Sequence, residues 1–409
     1  MKTKKVFFFI VIFSWTLGCA TYQNKVKDAQ QSLRQGRPGE AVKFLEPLAN
    51  KESDDQLVYL LEYATALQAS GKFKESNQAF HKADKMSEVQ DYHSISRITG
   101  SLLLSEGMVQ YKGEDYEKVL INAFSAINYL MLGELDEALV EARRLNEKLN
   151  KYKNDAKRPY EQNAFARYLS AMIWESDKKW DDAYIDYKEA YRLNPNFLGL
   201  HKDLVRVSKK SGRMTDYQKW RSKFPDVKWN KEWDNNNFGE IVVIYQQGWG
   251  PVKRANPDSP RFPKLFYRSS KTKQARVEVA GNQVITEEVY SISDVAVKTF
   301  NDQMGALIAK RIAGIVAKEA VAHRLRKENE LLGIVAWVGM HASDRADTRQ
   351  WSMLPQGFQV ARVRLPAGKY KINVSGQDKF GVKTGEGLFN QEVEVRPGKL
   401  TFINWRSYL

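Results

Sequence analysis

The sequence predicts two structural parts: a helical solenoid over residues 25–224 and an α+β domain with antiparallel strands over residues 239–409. Three observations predict this division. A short turn motif recurs five times in the first part at roughly repeat-like intervals. Alternating apolar residues and Pro-Gly turns mark the second part. The segment 225–238 between them has no hydrophobic period and ends in three asparagines, so we expect a linker there.

The composition limits the classes of protein that the chain can belong to. It has 409 residues, 43% hydrophobic and 12% aromatic, which excludes wholesale disorder. The mean hydropathy is −0.54 and the one long apolar run stands at the start, so a polytopic membrane protein is excluded. A single cysteine excludes an intrachain disulfide, and five histidines leave little material for a metal centre. We expect neither a metal nor a cofactor.

The first 18 residues have the pattern of an export signal, with a basic start, about a dozen apolar residues and Gly18 before Cys19. The apolar run is too short to span a bilayer, which takes about 20 residues. The pattern resembles a bacterial lipobox, although Thr16 stands where that pattern prefers leucine. The alternative is a simple secretory signal. We favour lipidation of Cys19, with a signal peptide over 1–18 and a lipidated N-terminus over 19–24.

Lipidation at Cys19 would decide where the protein resides. Acyl chains such as palmitate contribute about 0.8 kcal/mol for each buried methylene, so two or more of them anchor a protein firmly. Ala20 follows the cysteine instead of the aspartate that retains enterobacterial lipoproteins in the inner membrane. This resemblance implies an outer-membrane protein that faces the periplasm. Because an exported protein does not meet chromosomal DNA, we exclude nucleic acid as the reason for the net charge of +15.

Five short segments of the first part predict tight turns within helix pairs. They begin at Gly36, Gly71, Gly133, Lys178 and Gly212. A glycine can end a helix in the left-handed conformation without a side-chain penalty. An alanine five places later, present in three of the segments, lets two helices approach closely. The segments resemble the tetratricopeptide repeat (TPR), which implies a solenoid whose concave face holds a partner protein.

The intervals between these turns are irregular and predict two insertions. We expect an extra helix near residues 95–109 and an extended polar loop over 151–162. The stretch 111–144 resembles a family of TPR-containing bacterial outer-membrane lipoproteins with no established activity. Genes of that family often lie beside lipoproteins similar to activators of penicillin-binding proteins. The resemblance implies envelope-protein partners, such as proteins of cell-wall synthesis or other outer-membrane lipoproteins, and implies no chemistry.

The second part predicts an α+β domain with a long helix. That helix is expected to begin at Asp294, as its cap, and to extend to about Asn329. We expect it to pack on the sheet and not to enter a membrane, because Lys310, Arg311 and Lys318 interrupt its apolar residues. The expected strands are 240–245, 265–268, 275–279, 359–365, 369–374, 391–395 and 400–405. The last four suggest an antiparallel meander, which resembles small β-sandwich modules of envelope proteins.

Basic charge is concentrated in one region of the second part, where prolines predict an extended loop. One interpretation is contact with an anionic surface, such as phospholipid headgroups, lipopolysaccharide or cell-wall polymer. The other is a solvated loop. The basic residues concerned are Lys253, Arg254, Arg261, Lys264, Arg268, Lys271, Lys273 and Arg276, against Asp258 alone.

The sequence lacks the usual catalytic spacings, including H-E-x-x-H, G-x-S-x-G and a P-loop, so we expect no enzyme and no catalytic residues. Its densest polar cluster matches a characteristic motif of the same lipoprotein family and contains Asp347, Thr348, Arg349 and Trp351, preceded by His341 and Asp344. The cluster could bind a ligand or perform acid–base chemistry. A structural role, with Trp351 in the core and Arg349 on a carboxylate, is favoured because no nucleophile or metal set accompanies it.

These features predict a lipid-anchored scaffold or adaptor that binds an envelope protein through the concave face of the solenoid. The basic second part would contact an anionic envelope component. One alternative is a carboxylate-dependent cell-wall hydrolase that uses Asp344 or Asp347. A second alternative is a structural spacer.

Overall fold

The computed structural model describes residues 22–94, 110–155, 163–342 and 345–409. The predicted signal peptide, Cys19, the helix expected near 95–109 and Asp344 lie outside these ranges. The loop expected over 151–162 is wrong for its first five residues, which continue a helix, and residues 156–162 lie outside the described ranges. No helix within the described ranges is long and apolar enough to cross a membrane.

The described part of the first half consists of helix pairs, each with a tight turn between its two members. Within these ranges the pairs are α1–α2, α3–α4, α5–α6, α7–α8 and α9–α10. Their bounds are α1 (Tyr22–Arg34), α2 (Pro38–Asn50), α3 (Gln56–Ala69), α4 (Phe73–Ser94), α5 (Asp115–Leu132), α6 (Leu135–Asp155), α7 (Ala164–Ser176), α8 (Trp180–Leu193), α9 (Leu198–Lys210) and α10 (Met214–Lys223). The TPR-like solenoid predicted from the sequence is confirmed.

The turn within each pair lies where the sequence predicts it and has left-handed backbone. The φ angles are 68° at Gly36, 75° at Gly71, 76° at Gly133 and 74° at Gly212. Lys178 adopts the same conformation, with φ of 60°, although it carries a side chain. Backbone hydrogen bonds of the C-terminal capping type close its turn, because Lys178 N–H donates to Glu175 O and Lys179 N–H to Trp174 O.

The second half contains a β-sandwich, a two-stranded hairpin and two further helices. Sheet 1 has the order β10-β1-β7-β6, sheet 2 has the order β5-β4-β8-β9, and β2 pairs with β3. The bounds are β1 (Phe238–Gln247), β2 (Val252–Asn256), β3 (Ser259–Phe266), β4 (Gln274–Val279), β5 (Asn282–Ile285), β6 (Glu287–Ser291), α11 (Ile292–Glu328), α12 (Glu330–Ala342), β7 (Gly357–Pro366), β8 (Gly368–Gln377), β9 (Lys383–Val395) and β10 (Leu400–Arg406).

Sheet 1 is buried on both faces and forms the middle layer of the molecule. On β1, Ile241 and Val243 join the core between the two sheets. Val242 and Ile244 point the other way, as alternation along a strand requires, and join the core shared with the solenoid. The solenoid, sheet 1 and sheet 2 therefore form three packed layers.

The structure changes four details of the sequence prediction. Antiparallel pairing is observed, but the consecutive strands β7 and β8 lie in different sheets, and β10 pairs with β1 in parallel. The basic region expected to be a loop forms the β2–β3 hairpin and β4. The cap of α11 is Ser291, whose hydroxyl accepts the N–H of Asp294. Packing of α11 against the sheet is limited, since Ile312 and Val316 are 56% and 64% exposed.

The left-handed Lys178 generates a stability prediction. A side chain in this conformation costs about 1–2 kcal/mol that glycine avoids. Lys178→Gly should therefore raise the free energy of unfolding by about 1 kcal/mol in urea denaturation. Lys178→Ala is the matched control and should bring no such gain, because alanine retains the Cβ atom. Equal stability of the two variants would contradict the explanation.

Candidate functional site

The inner face of the solenoid is occupied by the chain's own C-terminal domain. In a TPR-like solenoid the first helix of each pair lines the concave face. The first helices contact the C-terminal domain through Tyr22 of α1, Glu62 of α3, Glu117 of α5, Phe165 of α7 and Asp203 of α9. The expectation that this face is open to a partner protein is therefore wrong for the described residues, because sheet 1 and residues 349–354 cover it.

Residues 349–354, which we call the docking segment, bind the solenoid through their backbone. Glu62 accepts the N–H groups of Ser352 at 2.7 Å and of Met353 at 3.0 Å. Glu117 accepts the N–H of Trp351 at 2.7 Å. Both carboxylates are fully buried. A buried carboxylate needs hydrogen-bond donors, and a buried irregular backbone needs acceptors for its N–H groups. Here the backbone supplies the donors and the carboxylates supply the acceptors.

Trp351 anchors the docking segment in an aromatic cluster of the solenoid. Its ring centroid lies 5.6 Å from that of Phe80 and 5.2 Å from that of Phe124. The indole Nε1–H donates to Thr65 Oγ1 at 2.8 Å, so the polar end of the buried ring is also satisfied. The structure thus places Trp351 in a packed position between the two halves of the chain.

Arg349 and Asp347 form an ion pair at the edge of this interface. Arg349 contacts Asp347 at 2.7 Å and Asp55, which precedes α3, at 3.0 Å. Burial alone would raise the pKa of Asp347, but its hydrogen bonds and ion pair with Arg349 hold that pKa below its usual range. This carboxylate is poorly suited to proton donation. Thr348 is half-buried, and the His341 side chain and Asp344 lie outside the described residues.

A second buried ion network joins β7 to the solenoid, and the sequence analysis missed it. Arg362 contacts Asp203 at 3.0 Å, Glu240 at 2.8 Å and Glu175 at 3.3 Å. Arg206 contacts Asp203 at 2.7 Å. Burial would raise the pKa of Glu175, but the two arginines lower it below its usual range. Alternation along β7 indicates a solvent-facing Arg362, and the solenoid packed on that face leaves its side chain only 10% exposed.

The basic residues predicted to contact an anionic surface are not on one surface. Lys253 is buried and pairs with Glu114 at 3.0 Å. The other seven divide into an exposed group and a half-buried group. The exposed residues are Arg254, Arg261, Lys264 and Lys271, and the half-buried residues are Arg268, Lys273 and Arg276.

A cavity of about 570 Å³ lies between α1 and the C-terminal domain, and we call it the α1 cavity. Two residues from the basic set, Arg254 and Arg268, line it together with Lys27 and Arg34 of α1. Trp249 forms part of its wall. Within the described ranges, no group of three or more His, Cys, Asp or Glu residues is placed to hold a metal ion.

The chain has weak structural likenesses to proteins of known structure. No protein-family model matches the sequence. No curated protein matches it. MamA from Desulfovibrio magneticus RS-1 is 19% identical over 49% of this chain and 89% of that chain, with a TM-score of 0.33. Kinesin light chain TPR-like repeats from Podosopora anserina are 14% identical over 50% and 93%, with a TM-score of 0.35. At such scores neither likeness supports a function.

The observed helix pairs and sheets themselves define the class of protein. It is a TPR-like solenoid protein with a C-terminal α+β domain docked on the solenoid. The residues that hold the two together include Glu62 and Glu117, which the sequence analysis did not single out. A signal was present, since Glu62 interrupts the apolar run of α3, where a charged residue needs a partner.

Titration of Glu117 generates a pH prediction. Burial, with a smaller contribution from Glu114, raises its pKa from 4.5 to about 7. Between these pH values the folded protein retains a proton that the unfolded chain has released, so stability falls as pH rises from about 4.5 to 7. Glu117→Gln should remove this slope in urea denaturation at pH 5, 6, 7 and 8. Parallel profiles of wild type and variant would contradict the assignment.

The Arg362 network generates a second stability prediction. Removing one partner from a buried ion network leaves charges without compensation and costs about 3–5 kcal/mol. Arg362→Met should therefore lower the free energy of unfolding by an amount of that order, measured by urea denaturation. Arg396→Met is the control, because Arg396 pairs with Glu394 in an exposed position and should change stability by less than about 1 kcal/mol. Similar losses in the two variants would refute a special role for Arg362.

Proposed function

We propose that the chain is a lipid-anchored, non-enzymatic scaffold of the bacterial envelope that binds a partner protein through α11 and α12. A single observation carries this proposal. The two helices project from the body and expose a large apolar surface, while the inner face of the solenoid is already covered. The basic second half would contact an anionic envelope component.

The helices α11 and α12 form a helical hairpin. With 37 residues, α11 is about 55 Å long, and it contacts β3 and β7 as well as α12. The Trp337 indole N–H donates to Glu319 Oε1 at 2.6 Å, and this hydrogen bond holds α12 against α11. Most of the hairpin therefore extends away from the sandwich and is accessible from several sides.

Both helices of the hairpin expose large apolar residues. Ile308, Ile312 and Val316 follow one another at intervals of four along α11, which places them on one side of the helix. On α12 the exposed apolar residues are Leu331, Leu332, Ile334, Val335 and Trp337. Soluble domains rarely expose large apolar patches unless they serve an interaction.

Charge near the hairpin turn indicates the chemistry of the partner. Arg324, Arg326 and Lys327 are exposed at the end of α11, and Glu328 and Glu330 are exposed at the turn beside them, so basic charge is in slight excess next to the apolar residues of α12. A helical surface of this kind fits an apolar groove with carboxylates along its edge. We therefore propose a partner protein with such an acidic-edged groove, such as an envelope protein of cell-wall synthesis or another outer-membrane lipoprotein.

The alternative of a cell-wall hydrolase has less support. Such an enzyme needs two carboxylates about 5–10 Å apart in a cleft. Asp347 forms an ion pair with Arg349 at 2.7 Å, at the edge of the packed interface. A structural spacer remains the competing hypothesis, and it predicts that the hairpin has no specific partner.

A photo-crosslinking experiment in cells tests the scaffold hypothesis. A photoreactive amino acid at Val316 or Val335 should yield one discrete protein adduct. The control position is Val140, an exposed apolar residue of α6, which should yield none. Ile312→Asp in the Val335-labelled protein should abolish the adduct. An adduct at Val140 as well, adducts with lipid alone, or no adduct would each refute the proposal.

Lipidation of Cys19 has its own test. Labelled fatty acid should be incorporated into the wild-type protein and should be absent from Cys19→Ser. The variant should also leave the membrane fraction when the envelope is separated. Undiminished labelling of Cys19→Ser would show that the anchor lies elsewhere or does not exist.

A further inference from the structure

The α1 cavity has an unusual charge composition. Four basic side chains line it, namely Lys27 and Arg34 of α1, Arg254 of β2, and Arg268. None of the described lining residues is Asp or Glu. Leu409 also lines the cavity, and its carboxylate opposes one of these four positive charges; its O atom accepts hydrogen bonds from Ser270 Oγ at 2.8 Å and from the backbone N–H of Lys271 at 2.9 Å. The cavity therefore concentrates positive charge with little compensation from its own walls.

The arginines are held in place by a shared aromatic ring. The guanidinium carbon of Arg34 lies 5.0 Å from the centroid of Trp249, and that of Arg268 lies 5.7 Å from it. The guanidinium carbon of Arg406 lies 5.5 Å from the same ring centroid. Cation–π contacts of this kind stabilise each guanidinium but leave its N–H donors available. Three like charges around one indole form an arrangement that an anion would stabilise.

Arg268 is half-buried, and one of its buried donor atoms lacks a hydrogen-bond partner. Its Nη1 atom is buried without a hydrogen-bond acceptor. Burial, with the nearby charge of Arg34, lowers the pKa of Arg268 to about 10. Glu62 also acts on Arg268 electrostatically, but its oxygens already accept the N–H groups of Ser352 and Met353. Leaving a buried charged donor unsatisfied is costly, so the cavity is suited to a ligand that supplies the acceptor.

We infer that the α1 cavity binds a phosphate group through Arg34, Arg254 and Arg268, in particular the headgroup phosphate of an anionic phospholipid. A guanidinium group can donate two parallel hydrogen bonds to the oxygens of one phosphate, and the opposite charges strengthen both bonds. A neutral acceptor cannot provide this charge-assisted pair. The volume of about 570 Å³ exceeds what a bare phosphate needs and leaves room for a headgroup. This inference specifies the anionic contact within the proposed function.

The position of the cavity supports a membrane source for the phosphate. Tyr22 lines the cavity and is the first residue of α1, three residues after Cys19. Three extended residues span about 10 Å. If Cys19 is lipidated as proposed, the anchor would hold this wall of the cavity within reach of the headgroup region. Binding of a headgroup would then orient the body on the membrane surface.

The test separates the phosphate site from the membrane source. Inorganic phosphate is titrated into the full chain in neutral detergent by calorimetry. In a second arm, the Cys19→Ser protein is sedimented with vesicles that contain phosphatidylglycerol or phosphatidylcholine alone. Phosphate binding and preferential recovery with phosphatidylglycerol would support the inference. Phosphate binding without vesicle preference would overturn the lipid source and leave a free-phosphate site. No binding in either arm would overturn both.

Variants show whether the cavity is responsible. Arg34→Gln and Arg268→Gln should each weaken binding at least tenfold, whereas Arg396→Gln, an exposed arginine outside the cavity, should not. Phosphate should raise the unfolding temperature of the wild type but not of Arg268→Gln. That variant should fold, because Arg268 Nη1 has no partner to lose. Unchanged binding in both cavity variants would overturn the assignment. Hairpin crosslinking does not depend on this outcome, so the two proposals can fail separately.

Discussion

The architecture depends on the burial of two carboxylates against the backbone of an irregular segment. Burial removes Glu62 and Glu117 from water, which is costly for a carboxylate. The backbone N–H groups of residues 351–353 offset this cost by donating hydrogen bonds to them. The same N–H groups have no strand or helix partner, so they equally need the carboxylates. If either side is lost while the layers stay packed, the other side remains buried without a hydrogen-bond partner. The solenoid and the C-terminal domain are therefore held together as one body.

This constraint changes which surfaces are available for function. A TPR-like solenoid ordinarily offers its concave face to another protein. Here Trp351 fills the aromatic cluster of that face, and Arg362 completes its charge network. Because the solenoid covers one face of sheet 1 and sheet 2 covers the other, sheet 1 is buried on both faces. The exposed apolar hairpin and the α1 cavity are two features of the described residues that remain open to other molecules.

The basic residues illustrate how tertiary context assigns different roles to the same residue type. Lys253 and Arg268 belong to one charge-rich stretch of sequence. The first is buried beside Glu114 at 3.0 Å and serves the interface. The second is held over Trp249 with a buried donor unsatisfied. Only the second has a reason to recruit an anion, and no feature of the stretch distinguishes the two in advance.

The sequence by itself determined the helix pairs, their turns and the division into a solenoid and an α+β domain. These follow from local causes, since a left-handed residue at a helix end and an alternating strand act over a few residues. Only the tertiary structure decided that residues 349–354 occupy the inner face of the solenoid, that Arg362 is largely covered by it and that four cations surround one cavity. Those facts join residues such as Glu62 and Ser352, which are 290 positions apart, and depend on how whole layers pack. Desolvation and pairing of charge are properties of that packing, so no local pattern could reveal them.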